Sequence, residues 1–422
     1  MEQNDDIRLQ EFRQLRREIR GSHDHLVVGM DIAKEKHHAF FGTPQGRTLY
    51  KGLTFTNTKE GFDHLLFHAD TLMKQYELKK LVFGLEPTAD YHKPLAEYLI
   101  KEGHTVVLVA GTAVKKNREL LDGRWDKHDT KDAANVADLI IQGKCLFYDL
   151  PSSDIKDLRG LLSLRKRLKQ LEHASRVRIR NHLIAQYFPE MDDYFSYREG
   201  PSIVRWCFNP KEITAFSFDE FSRMVSSHRN TKQLIRLQEI YHKAGSSIGC
   251  EVTSGVPHEA KTLLDQLQVF REMIRSTDKK IAEIGKRFPE YGVLLSIPGF
   301  GPDISSKVLG AIGNPYRFEN QSQVLKMAGL DLSADRSGKS DGIPVISKKG
   351  KADLRYGLYQ AALIASSLNH HFIQYFTNKL RGREREKGIK TKMRVKLSAK
   401  MLIIAWTLMK KKERFDPTYL KD

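Results

Sequence analysis

The chain has 422 residues, and its 70 Lys and Arg outweigh 52 Asp and Glu to give a formal charge of +18, which favours a polyanionic partner, nucleic acid ahead of an anionic membrane surface. At roughly 100–200 residues per domain the length suggests two to four domains, and the apolar segments interspersed through it exclude disorder throughout. No apolar run reaches the ~18 residues of a spanning helix, the charged start is no secretory signal, and the scattered Cys145, Cys207 and Cys250 match neither a disulfide framework nor zinc spacing, so the reducing cytosol is expected.

Residues 1–22 read as a short charged helix or arm. Strands are expected at 26–31, 38–43 and 47–55, the last two joined by the turn signal Pro44-Gln45-Gly46. Phe62, Leu65, Leu66, Ala69, Leu72 and Met73 have helical spacing over 58–76. A strand at 80–85, a helix near 92–102, a strand at 105–110 and a helix from about 130 to 142 complete the block. Three strands followed by alternating helices and strands is an α/β pattern consistent with an RNase H-like sheet over residues 1–150.

The middle, 151–289, changes character. Leu161, Leu164, Leu168 and Leu171 repeat at spacings of three and four within a basic helical stretch, 156–187, that includes Arg165, Lys166 and Arg167. Leu267, Phe270, Ile274, Thr277, Ile281, Ile284 and Phe288 repeat the pattern. The two seams suit a coiled-coil hairpin, pairing between chains, or ordinary packing in a helical domain. Residues 188–255 show no clear period and read as an irregular or mixed insert. The last block, 290–422, is mainly helical, with helices at 303–312, 320–328, 352–367, 370–380 and 392–410. Within it, Lys379–Arg414 holds fourteen Lys and Arg against three acids, Lys392, Arg394 and Lys396 among the cations. Such an imbalance is too lopsided for internal pairing and points to phosphate contact.

Four acids stand out. Asp31 closes the first strand and Glu86 the fourth, and the carboxyl ends of strands are where α/β sites assemble. Asp129 and Asp132, three apart at a helix start, share a face. Crowded carboxylates raise one another's pKa unless a cation compensates, and hard oxygen ligands suit Mg²⁺. Two such ions, about 3.5–4 Å apart, clamp the attacking and leaving oxygens of a phosphodiester. Singly, Asp31 reads equally well as a turn residue and Asp129 as a helix cap.

Ser296-Ile-Pro298-Gly299-Phe-Gly301-Pro302 resembles a helix-hairpin-helix turn whose glycines let backbone N–H groups approach a phosphate, though a structural turn between helices reads similarly. Downstream, Ser337 sits beside glycine, flanked by Arg336 and Lys339, with Lys348 and Arg355 further on. A serine so placed suits attack on phosphorus with cations stabilising the charge, but by itself the segment is an ordinary polar loop.

Together these pieces resemble a DEDD-type insertion-sequence transposase of the bridge-RNA-guided group, the insertion sequence 110 family, across nearly the whole chain. The resemblance rests on Asp31 in Gly-x-Asp, Glu86 in Glu-Pro-Thr, Lys127-His-Asp-Thr-Lys-Asp-Ala133, Ile297-Pro-Gly-Phe-Gly301, Ala328-Gly-Leu330, Ser337-Gly-Lys339 and Ile346-x-Lys-x-Gly350. It implies a RuvC-like domain at 1–150, a coiled-coil region at 151–289 and a transposase domain at 290–422. It implies a DNA recombinase in which Asp31, Glu86, Asp129 and Asp132 bind metal, Mg²⁺ at a two-ion site, and Ser337 forms a covalent link to DNA. Ser340 is a rival, because the family loop often reads Ser-Gly-Gly-Lys. The implied partners are donor and target DNA, a structured bridge (guide) RNA and further copies of the chain as a dimer or tetramer, with no membrane, in a cytoplasmic, nucleoid-associated setting. Pro298, Gly299, Gly301, Arg336, Lys339, Lys348, Arg355, Arg165, Lys166, Arg167, Lys392, Arg394 and Lys396 become candidate nucleic-acid contacts. The competing readings are a RuvC-type metal-dependent nuclease or junction resolvase without serine chemistry, and a non-catalytic nucleic-acid scaffold.

Overall fold

A computed structural model describes the backbone of residues 2–121, 129–195, 208–225, 230–333, 336–337, 340–341 and 345–420, and the side chains of 6–118, 131–193, 208–225, 230–333 and 345–420. The chain forms two compact units, Met1–Ser152 and Ser153–Asp422.

The first unit is a mixed sheet with helices on both faces. Its strands are β1 (His25–Asp31), β2 (Lys36–Gly42), β3 (Thr48–Thr56), β4 (Lys80–Leu85), β5 (Thr105–Leu108) and β6 (Leu146–Phe147), in the order β3-β2-β1-β4-β5-β6. β1, β2 and β3 form an antiparallel meander; β1, β4 and β5 run parallel, and β6 pairs antiparallel at the far edge. This order and polarity are consistent with the RNase H-like expectation. Alternation along the strands sends Leu26, Val28 and Met30 to one face, where they pack with Phe62 and Leu65 of α2 (Lys59–Gln75) and Leu95 and Leu99 of α3 (His92–Lys101). Val27, Val82 and Val107 take the other face, under α1 (Glu2–Glu18), α4 (Gly111–Leu121) and α5 (Asp129–Ile141).

Helix α1 is a core element, not a free arm. Leu9, Phe12 and Leu15, with Ile19 just beyond it, are buried despite the surrounding charges. The spacing of three and four turns these side chains to one stripe. Beyond the helix Arg20 donates to the Gln142 carbonyl at 2.6 Å, tying it to the end of α5.

The second unit is helical. α6 (Ser153–Arg178) and α8 (Val256–Gly285) pack side by side, with α7 (Thr231–Gly245) between them in sequence. Their ion pairs run in opposite chain order: Asp154 with Arg287 just past α8, Arg165 with Asp278, Glu172 with Arg271 and Arg178 with Glu259, so the pair is antiparallel. The expected seam holds on α8, where Leu267, Ile274, Thr277, Ile281 and Ile284 are buried. On α6 it splits. Leu168 is buried and Leu161 half-buried, whereas Leu164 and Leu171 lie on the surface. A single stripe at positions 161, 164, 168 and 171 therefore does not describe the helix, because α6 also packs on the C-terminal core through Ile155, Leu158 and Leu162.

Residues 188–255 hold more order than their pattern suggests. Short helices at Pro210–Thr214 and Phe218–Val225 pack with α7. Phe188, Met191, Phe208, Ile213, Phe221, Leu237 and Ile240 close a core with Leu264 and Leu267 of α8. α7 begins with a capping box, Asn230 accepting from the Gln233 N–H while Gln233 accepts from that of Asn230. The C-terminal core gathers α9 (Pro289–Leu295), α10 (Pro302–Ile312), α11 (Gln321–Ala328), α12 (Ala352–Leu368), α13 (His370–Leu380) and α14 (Ile389–Lys411).

Candidate functional site

In the first unit the acids are placed by backbone packing. Gly29 of β1 lies opposite Gly84 of β4, and Met30 opposite Leu85. Asp31 ends β1 and Glu86 directly follows β4, each two residues past its glycine, at the carboxyl ends of neighbouring parallel strands. Gly29 is required by the α5 backbone, and Gly84 lies under an α5 side chain. A Cβ on Gly29 would lie 2.2 Å from the Ala133 carbonyl oxygen and 2.4 Å from the Ala137 nitrogen, and one on Gly84 would lie 2.0 Å from Ile140 Cδ1. The helix rests on the two strands where they lack side chains. Its first turn carries Asp129 and Asp132, with Ala133 already over Gly29.

Helix α4, which no motif flagged, touches two of the acids. A Cβ on Gly111, its first residue, would lie 2.5 Å from Glu86 Oε1. Further along, Arg118 Nη2 lies 2.7 Å from Oδ1 of Asp132, which is buried. The contact is coulombic, because it fails hydrogen-bond geometry. Next to it Asn117 donates to Asn135 and Asp138, both at 2.7 Å, and Asn135 donates to the Val114 carbonyl at 2.7 Å. A buried polar network thus fixes α4 against α5.

His37 is a second residue that pattern reading missed. Buried in β2, it accepts the Ala33 N–H at Nδ1 (3.3 Å), holding the backbone just past Asp31. Burial lowers its pKa and keeps the ring neutral.

The oxygen-only donor set suits a hard divalent cation. Among the described residues, no three Asp, Glu, His or Cys side chains gather closely enough to hold one. Asp31 and Glu86 share the strand ends and Asp132 is engaged by Arg118, while the Asp129 side chain lies outside the described residues. The donors fit such an ion in kind.

In the second unit the candidate serines lie on narrow β-pairings. β7 (Leu332–Ser333) pairs with β10 (Val345–Ile346), and β8 (Arg336–Ser337) with β9 (Ser340–Asp341). Ser337 and Ser340 are cross-strand partners. The side chains of Arg336, Ser337 and Ser340, and Lys339 altogether, lie outside the described residues. The root is tightly built. A Cβ on Gly350 would lie 2.4 Å from the Gly329 nitrogen and 2.6 Å from the Met327 carbonyl oxygen, and Gly329 caps α11 in the left-handed conformation, φ +67°. Arg355 donates to the Ala328 carbonyl at 2.8 Å, so this candidate nucleic-acid contact holds the root. Lys348 is exposed beside it with φ 55°.

The other candidate contacts divide similarly. Gly299, at φ +87°, presses on α12, where a Cβ would lie 2.4 Å from the Ala361 carbonyl oxygen, so its glycine serves helix packing. Pro298 belongs to the same turn and is half-buried; Gly301 has open space around it as the N-cap of α10. Arg165 is shared between Asp278 and Asp303, and Lys166 reaches Asp353 at 2.9 Å, whereas Arg167 is exposed. The basic C-terminal run is both core and surface. Leu397, Met401, Leu402 and Trp406 of α14 are buried, Lys392 and Lys396 are exposed, and Arg394 lies over the Phe376 ring at 5.6 Å.

An α/β unit with acids at its strand ends is followed in the chain by a helical unit carrying a serine segment, and comparison with known proteins gives the class. A transposase family model of DEDD type matches residues 28–189, and the model described as "Transposase IS116/IS110/IS902 family" matches residues 291–377. The chain belongs to this family of insertion-element transposases. It is 23% identical over 411 residues to the insertion element IS116 uncharacterized 44.8 kDa protein of Streptomyces clavuligerus, covering 94% of this chain and 97% of that protein. It is 22% identical over 390 residues to the pilin gene-inverting protein of Moraxella bovis, covering 92% and 97%. It is 23% identical over 351 residues to the insertion element IS110 uncharacterized 43.6 kDa protein of Streptomyces coelicolor, covering 80% and 83%. The chain is therefore a DNA transposase or recombinase. No described helix is long and apolar enough to cross a membrane.

Proposed function

We propose that this transposase is an RNA-guided recombinase that cuts and rejoins donor and target DNA with a Mg²⁺-binding acidic tetrad, Asp31, Glu86, Asp129 and Asp132, and a serine nucleophile, Ser337. The placement of Asp31 and Glu86 at the carboxyl ends of neighbouring parallel strands, with a helix that begins at Asp129 lying over the glycines before them, is the observation that supports it best. Residues 1–150 serve as the metal-binding part, 151–289 as a coiled-coil region and 290–422 as the part that supplies the serine. Divalent metal at the acids would stabilise charge on the phosphodiester oxygens. Ser337 Oγ bonds to phosphorus as the deoxyribose oxygen leaves, and reversal of that step on a new strand end rejoins DNA. Arg336 and Lys339 flank that serine and Lys348 stands at the root, so cations accompany it toward phosphate. Basic surface holds a guide RNA mainly by its backbone, base pairing chooses the sequence, and a dimer or tetramer in the cytoplasm, on the nucleoid, brings two DNAs together.

The test incubates protein, element RNA, Mg²⁺ and labelled donor and target DNA, resolved on denaturing gels before and after protease. Wild type is expected to give a protease-sensitive DNA–protein band that Ser337→Ala and Asp31→Asn lack. Free cleaved ends in Ser337→Ala at wild-type yield would leave a metal-dependent nuclease without serine chemistry. A band lost in Ser340→Ala but kept in Ser337→Ala would move the role to the rival serine.

A further inference from the structure

Past Asp31 the chain turns from β1 into β2, and three consecutive residues of that turn are each held. Ala33 donates its N–H to Nδ1 of His37 at 3.3 Å. The Lys34 carbonyl accepts from the Asn57 side-chain amide at 3.2 Å, and the Glu35 carbonyl accepts the Asn57 N–H at 2.9 Å. His37 belongs to β2 and Asn57 directly follows β3, so the turn is gripped from the two neighbouring strands of the meander.

The imidazole grips from behind the acids. Alternation puts Asp31 on the face of β1 that carries Gly29, under α5. His37 lies on the opposite face, where its ring stands 5.2 Å from that of Phe55 and 6.4 Å from that of Phe62 on α2. It therefore acts on Asp31 through the turn backbone and not by touching the carboxylate.

This ring also weakens the fold. With Nδ1 accepting, a neutral imidazole carries its proton on Nε2. His37 is 0% exposed, and Nε2 is buried with no hydrogen-bond partner among the described residues. Burial lowers the ring's pKa, and the neighbouring Asn57 amide opposes that shift without offsetting it. A buried N–H that has lost water and gained no partner destabilises the folded chain. An apolar side chain of similar size would avoid that loss. A side chain that lowers stability while holding the backbone beside an acid suits a positional role, because sites often trade stability for geometry.

We propose that His37 and Asn57 are positioning residues: they fix the turn after Asp31 and so aim its carboxylate at the metal ion. The proposal rests on the reading of Asp31 as a metal ligand and goes beyond it by naming what orients that ligand. Neither residue moves a proton or touches substrate in this role.

The test titrates Mn²⁺ into the full chain, followed by electron paramagnetic resonance, and measures the urea midpoint of each variant at neutral pH. His37→Leu should keep or raise the urea midpoint, yet weaken Mn²⁺ binding about tenfold, the low end for partners that orient metal ligands. In His37→Asn the side-chain carbonyl stands near the place of Nδ1 and can accept the Ala33 N–H, so Mn²⁺ affinity should stay within twofold of wild type. His37→Gln sets its amide near the place of Nε2 instead and should follow His37→Leu. Asn57→Ala should weaken Mn²⁺ binding about three- to fivefold, as expected for one neutral hydrogen bond, since its backbone N–H still holds Glu35. Asp31→Asn is the reference for loss of the ligand. If Asp31→Asn loses Mn²⁺ while His37→Leu and Asn57→Ala keep wild-type affinity, the clamp is overturned and the ligand reading stands. If Asp31→Asn binds Mn²⁺ as wild type does, the ligand reading fails and the clamp falls with it. A lower midpoint in His37→Leu, with affinity falling in step in His37→Asn as well, would show a merely structural ring and overturn the proposal.

Discussion

The acids and the serines are held by opposite kinds of structure. Asp31 and Glu86 stand at the ends of neighbouring strands that are paired on both sides, and the glycine before Asp31 is needed because the α5 backbone lies on the sheet at that point. Ser337 and Ser340 face each other across strands of two residues each, held at a root where two glycines touch and one arginine closes α11. The end of a central strand holds its groups firmly because many packed atoms oppose any shift. A pairing of two residues on each side has few ladder bonds to hold it, so the packing at its root matters most. In the proposed mechanism the first arrangement would hold groups that share an ion, and the second would carry the nucleophile.

The contrast predicts a hierarchy of damage. Arg118→Ala should be the most severe for stability. It leaves the Asp132 carboxylate buried without its partner, a loss of about 3–5 kcal/mol, read as a drop in the urea midpoint of the full chain. Unchanged stability would show that α4 does not hold the acid. Gly29→Val comes next. Its side chain meets backbone atoms of α5 at contact distances no shift of a side chain relieves, and overpacking of this kind costs about 1–3 kcal/mol. The same urea titration reads it, and a wild-type midpoint would remove the helix-on-glycine account.

Gly350→Ala should separate the two regions. Its Cβ strikes the Gly329 and Met327 backbone, so strand joining should fall at least tenfold while Mn²⁺ binding at the acids, followed by electron paramagnetic resonance, stays within twofold. Equal losses in both readouts would contradict independent placement. The smallest effect concerns pH. Burial lowers the pKa of His25, His37, His68, His92 and His104, all in the first unit. The unfolded chain then takes up protons first as pH falls through about 6.5, so the stability these neutral rings contribute is present above that value and lost below it. Hydrogen exchange on the full chain, corrected for intrinsic rates, should show peptides across 25–104 losing protection between pH 7 and pH 5.5. Constant protection would contradict the neutral, buried assignment.

Much of the first unit was legible because its signals are local. Apolar runs ending in Asp31 and Glu86, and a helical period at 58–76, mark strands and a helix within short windows. β6 has two residues, too few to show alternation. The stripe of α1 was masked by the charges around Leu9, Phe12 and Leu15. The insert at 188–255 had no visible period because its short helices complete their core with Leu264 and Leu267 of α8, far along the chain. For the site, residue types and order were readable, but their supports were not. Arg118, Asn117 and Asn135 act through distances across two helices, and the glycine at 29 shows its purpose only when Ala133 and Ala137 are seen over it. The protein partners of Arg165 and Arg355 were not readable either, because a cation beside glycine or leucine says nothing about which carboxylate or carbonyl it will meet.

The central claim is that the acids and one particular serine act on the same phosphodiester. The direct measurement is to trap the DNA–protein adduct, digest both components and identify the serine that carries the residual nucleotide by mass spectrometry, with wild type beside Asp31→Asn. The account predicts the nucleotide on Ser337 in wild type and no adduct in Asp31→Asn. A nucleotide on another residue, or an adduct that forms as readily without Asp31, would contradict it.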